Sequence, residues 1–122
     1  MPSSRQVELA SCGPSLPRSR TVRVRAEDGT RLHTEVFGPE DGYPIVLAHG
    51  ITCALRVWHE QINELSRDFR VIAFDLPWHG KSSPPAGWQN DEYRLTTRAY
   101  VAQVLAVCEA LELDRPVVMG CS

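Results

Sequence analysis

A chain of 122 residues has room for one domain of ordinary size. With 43% hydrophobic and 23% charged residues it fits a packed soluble domain, which excludes wholesale disorder and fibrous repeats. Thirteen Lys and Arg against fifteen Asp and Glu leave a net charge of −2, without the cationic excess that drives nucleic-acid or anionic-membrane binding.

The cysteines, Cys12, Cys53, Cys108 and Cys121, form no CxxC pair, and no His stands at zinc-ligand spacing from them. Neither a disulfide framework nor a metal centre is expected, and a reducing compartment follows. No segment approaches the roughly 20 apolar residues of a membrane span, and the N-terminus lacks the apolar centre of a secretory signal. A cytoplasmic protein without a membrane span is the expectation.

Residues 1–20 carry three Pro and five Ser among scattered charges, and no apolar period runs through them. A disordered leader is expected there, with the folded domain over 21–122. From Thr21 the pattern alternates, Val22, Val24 and Ala26 against Arg23 and Arg25, which is the period of a half-buried strand. Asp28-Gly29 separates it from a second alternating run, Leu32 to Phe37, so the two predict an antiparallel hairpin.

Ile45-Val46-Leu47-Ala48 is a continuous apolar run followed at once by His49-Gly50, as in a strand buried on both faces of a parallel sheet. Leu55, Trp58, Ile62 and Leu65 then recur at helical spacing, predicting a helix laid on the sheet with Trp58 in the core. Val71 to Phe74 is a second buried run, ending at Asp75 and a Pro-, Gly- and Ser-rich loop to about Glu92. Val101, Val104, Leu105, Cys108 and Leu111 form a second helical stripe, capped by Thr96 or Thr97. Pro116 to Met119 is a third apolar run, followed by Gly120-Cys121-Ser122. The fold class expected is α/β: a leading antiparallel hairpin, then three mainly parallel strands with two flanking helices. In such sheets ligands bind beyond the carboxyl ends of the strands, where His49-Gly50, Asp75 and Ser122 all fall.

Strand, His49-Gly50, helix, strand, Asp75-Leu76-Pro77-Trp78-His79-Gly80-Lys81-Ser82, helix, then a strand ending in Gly120-Cys121-Ser122 resembles the N-terminal half of an α/β-hydrolase. The resemblance covers about residues 21–122 and stops at the family's nucleophile turn. It implies that Ser122 is the nucleophile, carried on a Gly-x-Ser turn whose neighbours Gly120 and Cys121 must be small. It implies that the backbone N–H of Ile51, after His49 and Gly50, is an oxyanion-hole donor. His49 itself reads as a hydrogen-bonded prop, with Gly50 supplying a positive φ. The family's Asp-x-x-Gly-x-Gly-x-Ser segment is matched at Asp75, Gly80 and Ser82, with Trp78 in place of the first Gly. Asp75 and His79 are expected to be structural there. Trp78, Pro84, Pro85, Trp88 and Tyr93 are candidates for a substrate entrance.

By the same resemblance the activity is hydrolysis of an ester or related acyl bond through an acyl-enzyme, with a small-molecule acyl substrate and no cofactor. Haloalkane dehalogenases and epoxide hydrolases carry Asp where Ser122 stands and are disfavoured. The family order Ser, Asp or Glu, His places the acid and the base beyond residue 122. The 122 residues alone are therefore expected to be inactive, poorly soluble or dependent on the missing half or another chain. A catalytically inactive fragment or binding module of the same fold is the alternative. Gly80-Lys81-Ser82 also resembles the end of a P-loop, but Asp75 stands where its other Gly belongs, and no GxGxxG occurs.

Overall fold

A computed structural model of the chain describes residues 15–84 and 96–121. Five strands form one open sheet: β1 (Ser19–Arg25), β2 (Arg31–Phe37), β3 (Pro44–Ala48), β4 (Arg70–Phe74) and β5 (Val117–Gly120). Their spatial order is β1-β2-β4-β3-β5. β1 and β2 pair antiparallel, as do β2 and β4, whereas β3 pairs parallel with both β4 and β5. The hairpin and the three parallel strands are those expected from the sequence.

β1 starts at Ser19, two residues before the run at Thr21, because Ser19 Oγ donates to Glu35 Oε1 on β2 at 2.8 Å. Leu16 also packs onto the core. At the other end of the hairpin Gly29 takes φ 86, and Thr30 N–H donates to Asp28 Oδ1 at 2.9 Å. Here an Asp-Gly pair does what its chemistry suggests: Asp accepts the turn N–H and Gly takes the left-handed position.

Alternate residues of each strand feed two separate cores. Val24, Leu32, Val36, Val46, Ile72 and Phe74 pack on one face beneath α2 (Thr97–Ala110). Phe37, Ile45, Leu47, Val71 and Ala73 pack on the other beneath Leu55, Trp58 and Ile62. β3 and β4, covered on both sides, read as continuous apolar runs for that reason. Each fully buried Leu, Ile or Phe contributes about 1.5–3 kcal/mol of transfer free energy.

The helix expected over 55–65 is two elements, a 3-10 turn at Leu55–Trp58 and α1 at His59–Leu65. The apolar spacing is that of one continuous face, and a change of helical pitch is invisible to it. α2 is capped by Thr96, whose Oγ1 accepts from Ala99 N at 3.1 Å. It ends in a Schellman turn: Leu113 N–H reaches Cys108 O and Glu112 N–H reaches Glu109 O, with Glu112 at φ 53. The expected stripe of α2 is corrected at two positions, since Val101 and Leu105 are exposed while Gln103 and Val107 are buried. The helix rolls so that Tyr100, Val104, Val107 and Leu111 face the sheet.

The third apolar run is likewise not buried. Val117 and Val118 are 47% and 50% exposed, because β5 has β3 on one side and no further strand among the described residues on the other. An exposed apolar edge strand is a template for pairing with another chain. The chain is expected to associate with rising concentration, and Val118→Lys to reduce that association without lowering the melting temperature. Sedimentation of the two at matched concentrations checks it, and identical behaviour refutes it.

Candidate active site

The carboxyl ends of β3, β4 and β5 meet at one end of the sheet. Ala48 and Gly120 are register partners, and Cys121 N–H donates to Ala48 O at 3.3 Å. From that pair the sequence runs on to His49-Gly50-Ile51 and to Ser122, the latter outside the described residues. Pro85, Trp88 and Tyr93 also lie outside them, while Trp78 and Pro84 are exposed.

His49 is fully buried. Its Nε2 accepts the Leu76 N–H at 2.9 Å, which leaves the ring proton on Nδ1, bonded to Gly50 O at 2.7 Å. A single neutral tautomer is thereby selected, and the ring is a prop between the ends of β3 and β4. Burial pushes the imidazole below its ordinary value. The bond to the Gly50 carbonyl and the Asp75 carboxylate pull it back, and His79 pushes it further down.

Asp75 is almost fully buried at the end of β4. One carboxylate oxygen accepts from Leu55 N at 2.8 Å and the other from Lys81 N at 2.9 Å. The anion thus caps the first turn of the 3-10 helix and closes its own loop. Ser82 completes the staple, donating through Oγ to Asp75 O at 2.6 Å and accepting from His33 N at 2.8 Å. Gly80 is required beside this carboxylate: a Cβ there would lie 2.3 Å from Asp75 Cγ, and its φ is +51. The P-loop resemblance loses its meaning here, because Asp75 occupies the Lys81 N–H that a phosphate would need.

Trp78 replaces a Gly where φ is 65. The loop keeps a left-handed path with a bulky residue in it, at a cost of about 1–2 kcal/mol. Gly50, by contrast, is not in the left-handed region expected for it; Thr52, two residues on, takes φ 71 instead. Smallness at Gly120 is also not enforced among the described residues, where an added Cβ would meet only Ala48 O, at 3.8 Å.

Two contacts had little signal in the sequence. Tyr100 Oη donates to the His49 carbonyl oxygen, and burial, with Cys121 nearby, pushes its phenol above the ordinary value. His79 Nε2 accepts the Thr52 N–H at 3.0 Å, and its other ring nitrogen bonds Pro77 O at 2.8 Å. Among the described residues the Ile51 N–H has no hydrogen-bond partner, and the Ile51 side chain is 60% exposed.

A cavity of about 230 Å³ between the hairpin turn and the start of α2 has no wall residue from the 49–52 or 75–82 segments. Among the described residues no cluster of three His, Cys, Asp or Glu could hold a metal ion, and no helix is long and apolar enough to cross a membrane.

A sequence profile of the alpha/beta hydrolase fold matches residues 43–122. The chain belongs to the α/β-hydrolase family. It is 36% identical over 98 residues to a non-heme chloroperoxidase of Streptomyces lividans, covering 80% of this chain and 33% of that protein. It is 31% identical over 108 residues to epoxide hydrolase 4 of Mus musculus, covering 88% and 28%. Among solved structures, an esterase from Rhodococcus sp. ECU1013 superposes with a TM-score of 0.72 at 31% identity, over 84% of this chain and 36% of that one. An enol-lactonase from Burkholderia xenovorans LB400 gives 0.69 at 30%, over 84% and 37%. The chain thus spans about a third of the length of the curated relatives it matches. The mixed open sheet with two helices is the α/β-hydrolase arrangement in these structures.

Two outcomes are expected. Trp78→Gly removes left-handed strain and raises stability by about 1 kcal/mol, read as a higher melting temperature; an unchanged or lower one refutes the strain. For His49 the folded value lies below the unfolded one, so its contribution is complete above roughly pH 6.5 and is lost as pH falls through the lowered value. Melting temperatures against pH should show this acid loss, and His49→Gln should flatten it while lowering stability at neutral pH.

Proposed function

We propose that this segment belongs to a serine hydrolase that cleaves an ester or related acyl bond through an acyl-enzyme on Ser122. The observation that carries the reading is the unpaired Ile51 N–H at the carboxyl end of β3, beside the strand from which the sequence leads to Ser122. A donor left unsatisfied next to a nucleophile's strand is what an oxyanion requires. Names among the similar proteins, an esterase and an enol-lactonase, agree with acyl chemistry.

In this reading Ser122 Oγ attacks the acyl carbon and gives its proton to a His base. Negative charge moves to the former carbonyl oxygen, where the Ile51 N–H donates a hydrogen bond. Collapse expels the alcohol, which takes the proton, and water then cleaves the acyl-enzyme by the reverse sequence. The base and its orienting acid are supplied by polypeptide beyond residue 122. His49 cannot be that base, since both its nitrogens are engaged by backbone. The exposed Val117 and Val118 give the missing portion, or another chain, an edge on which to complete the sheet. No bound cofactor enters these steps, and the substrate is a small acyl compound.

The test is covalent labelling with a fluorophosphonate. A polypeptide extended by its downstream coding sequence should label at Ser122 and hydrolyse p-nitrophenyl butyrate, with Ser122→Ala reducing the rate by about a thousandfold or more. The chain ending at residue 122 should neither label nor hydrolyse. Hydrolysis that survives Ser122→Ala refutes the assignment, and an inert extended protein favours the inactive fragment or binding module.

A further inference from the structure

Thr52 and Trp78 are both left-handed, at φ 71 and φ 65, and they sit on two different loops. Among the hydrogen bonds that join those loops is Thr52 N–H to His79 Nε2, at 3.0 Å. The acceptor is itself held, because the other ring nitrogen is bonded to Pro77 O at 2.8 Å, which keeps the proton on Nδ1 and the lone pair on Nε2. The ring also stands against His49, centroid to centroid at 5.2 Å. A β-branched residue and a tryptophan in left-handed backbone persist only where surrounding structure over-determines them. For Thr52 this bond acts together with the turn that Cys53 N–H closes on Gly50 O, and Trp78 N–H is held by Ser83 O at 3.4 Å.

Its position matters because of the peptide beside it. The Ile51 N–H precedes Thr52 by one residue and has no hydrogen-bond partner among the described residues. That N–H lies in the Gly50–Ile51 peptide, whose carbonyl accepts from His49 Nδ1 and closes a turn with Cys53 N–H; one residue earlier His49 O is held by Tyr100. On the downstream side Leu55 N is pinned by Asp75. His79 holds the segment between Ile51 and Leu55 from outside its own loop. Without it Thr52 is free to relax toward ordinary backbone, the turn bond from Cys53 N–H to Gly50 O is lost, and the Gly50–Ile51 peptide keeps only its bond to His49.

We infer that His79 is a positioning residue whose Nε2 holds Thr52 left-handed and so aims the Ile51 N–H as an oxyanion donor. The inference rests on the proposed acyl hydrolysis and adds a role that no matched motif assigns. His79 touches no reacting atom; its effect passes through two peptide units.

The experiment uses the catalytically complete polypeptide with p-nitrophenyl butyrate as substrate and phenylboronic acid as an inhibitor that forms a tetrahedral, negatively charged adduct on serine. His79→Leu removes the acceptor, whereas His79→Gln places an amide oxygen near the Nε2 position. The expected result is a kcat lowered about tenfold or more in His79→Leu, with KM changed by less than about twofold, since the donor acts on the transition state. Boronate affinity should fall by a similar factor, and His79→Gln should recover most of both. If His79→Leu does not fold, His79→Asn, whose shorter amide falls short of Thr52, replaces it against His79→Gln. Unchanged kcat in the acceptor-free variant overturns the inference. So does a loss of kcat that tracks melting temperature and is not recovered by His79→Gln. If wild-type hydrolysis survives Ser122→Ala, the functional reading itself has failed, and the inference falls with it.

Discussion

The carboxylate of Asp75 is the contact on which this end of the sheet depends. Almost fully buried, it accepts two backbone N–H groups from opposite sides, Leu55 and Lys81. Charge-assisted bonds of this kind are about twice as strong as neutral ones, and a carboxylate in this position would be costly if either donor were lost. One donor opens the 3-10 turn that carries the 49–54 segment into its helix; the other closes the loop that bears His79. Gly80 has no Cβ because the carboxylate already occupies that space. Ser82 ties the same residue's carbonyl to β2. The segment matching the family's Asp-x-x-Gly-x-Gly-x-Ser pattern is therefore a bracket that holds two loops at a fixed separation, and its chemistry is mechanical.

Around that bracket the turn at 49–55 is held by its own His49 and by side chains from two other parts of the chain. His49 bonds into the start of the Asp75 loop, Tyr100 comes from α2, and His79 comes from the loop after β4. Each takes up a backbone group, while the Ile51 N–H has no hydrogen-bond partner among the described residues. The left-handed residues Thr52 and Trp78 lie within this arrangement, Thr52 bonded through its N–H to His79 and Trp78 through its N–H to Ser83 O.

The sheet itself was largely legible in the sequence. Val22, Val24 and Ala26 alternate because one face of β1 lies under α2 and the other carries solvated arginines. Val71 to Phe74 does not alternate because both faces of β4 are covered. Asp28-Gly29 and Thr96 act through local chemistry and were readable as turn and cap. Legibility failed where the burying partner is remote. Val101 and Leu105 satisfy a helical period yet face outward, and Val117 and Val118 satisfy the pattern of a buried strand yet lie at an open edge. Apolar pattern reports which side chains are suited to burial, and neighbours decide which of them are buried.

The site divides in the same way. Sequence alone determined the order of elements, the family resemblance, the motif residues Asp75, Gly80 and Ser82, and the reading of His49 as a prop. These follow from local periodicity and from residue types whose chemistry is fixed wherever they fall. Only the tertiary structure decided that Thr52 rather than Gly50 takes the left-handed position, that Tyr100 grips the His49 carbonyl, and that His79 holds the Thr52 N–H. Those contacts join residues 27 to 51 positions apart, so no spacing rule along the chain encodes them. They arise only when β3, β4 and α2 are brought to one end of the sheet.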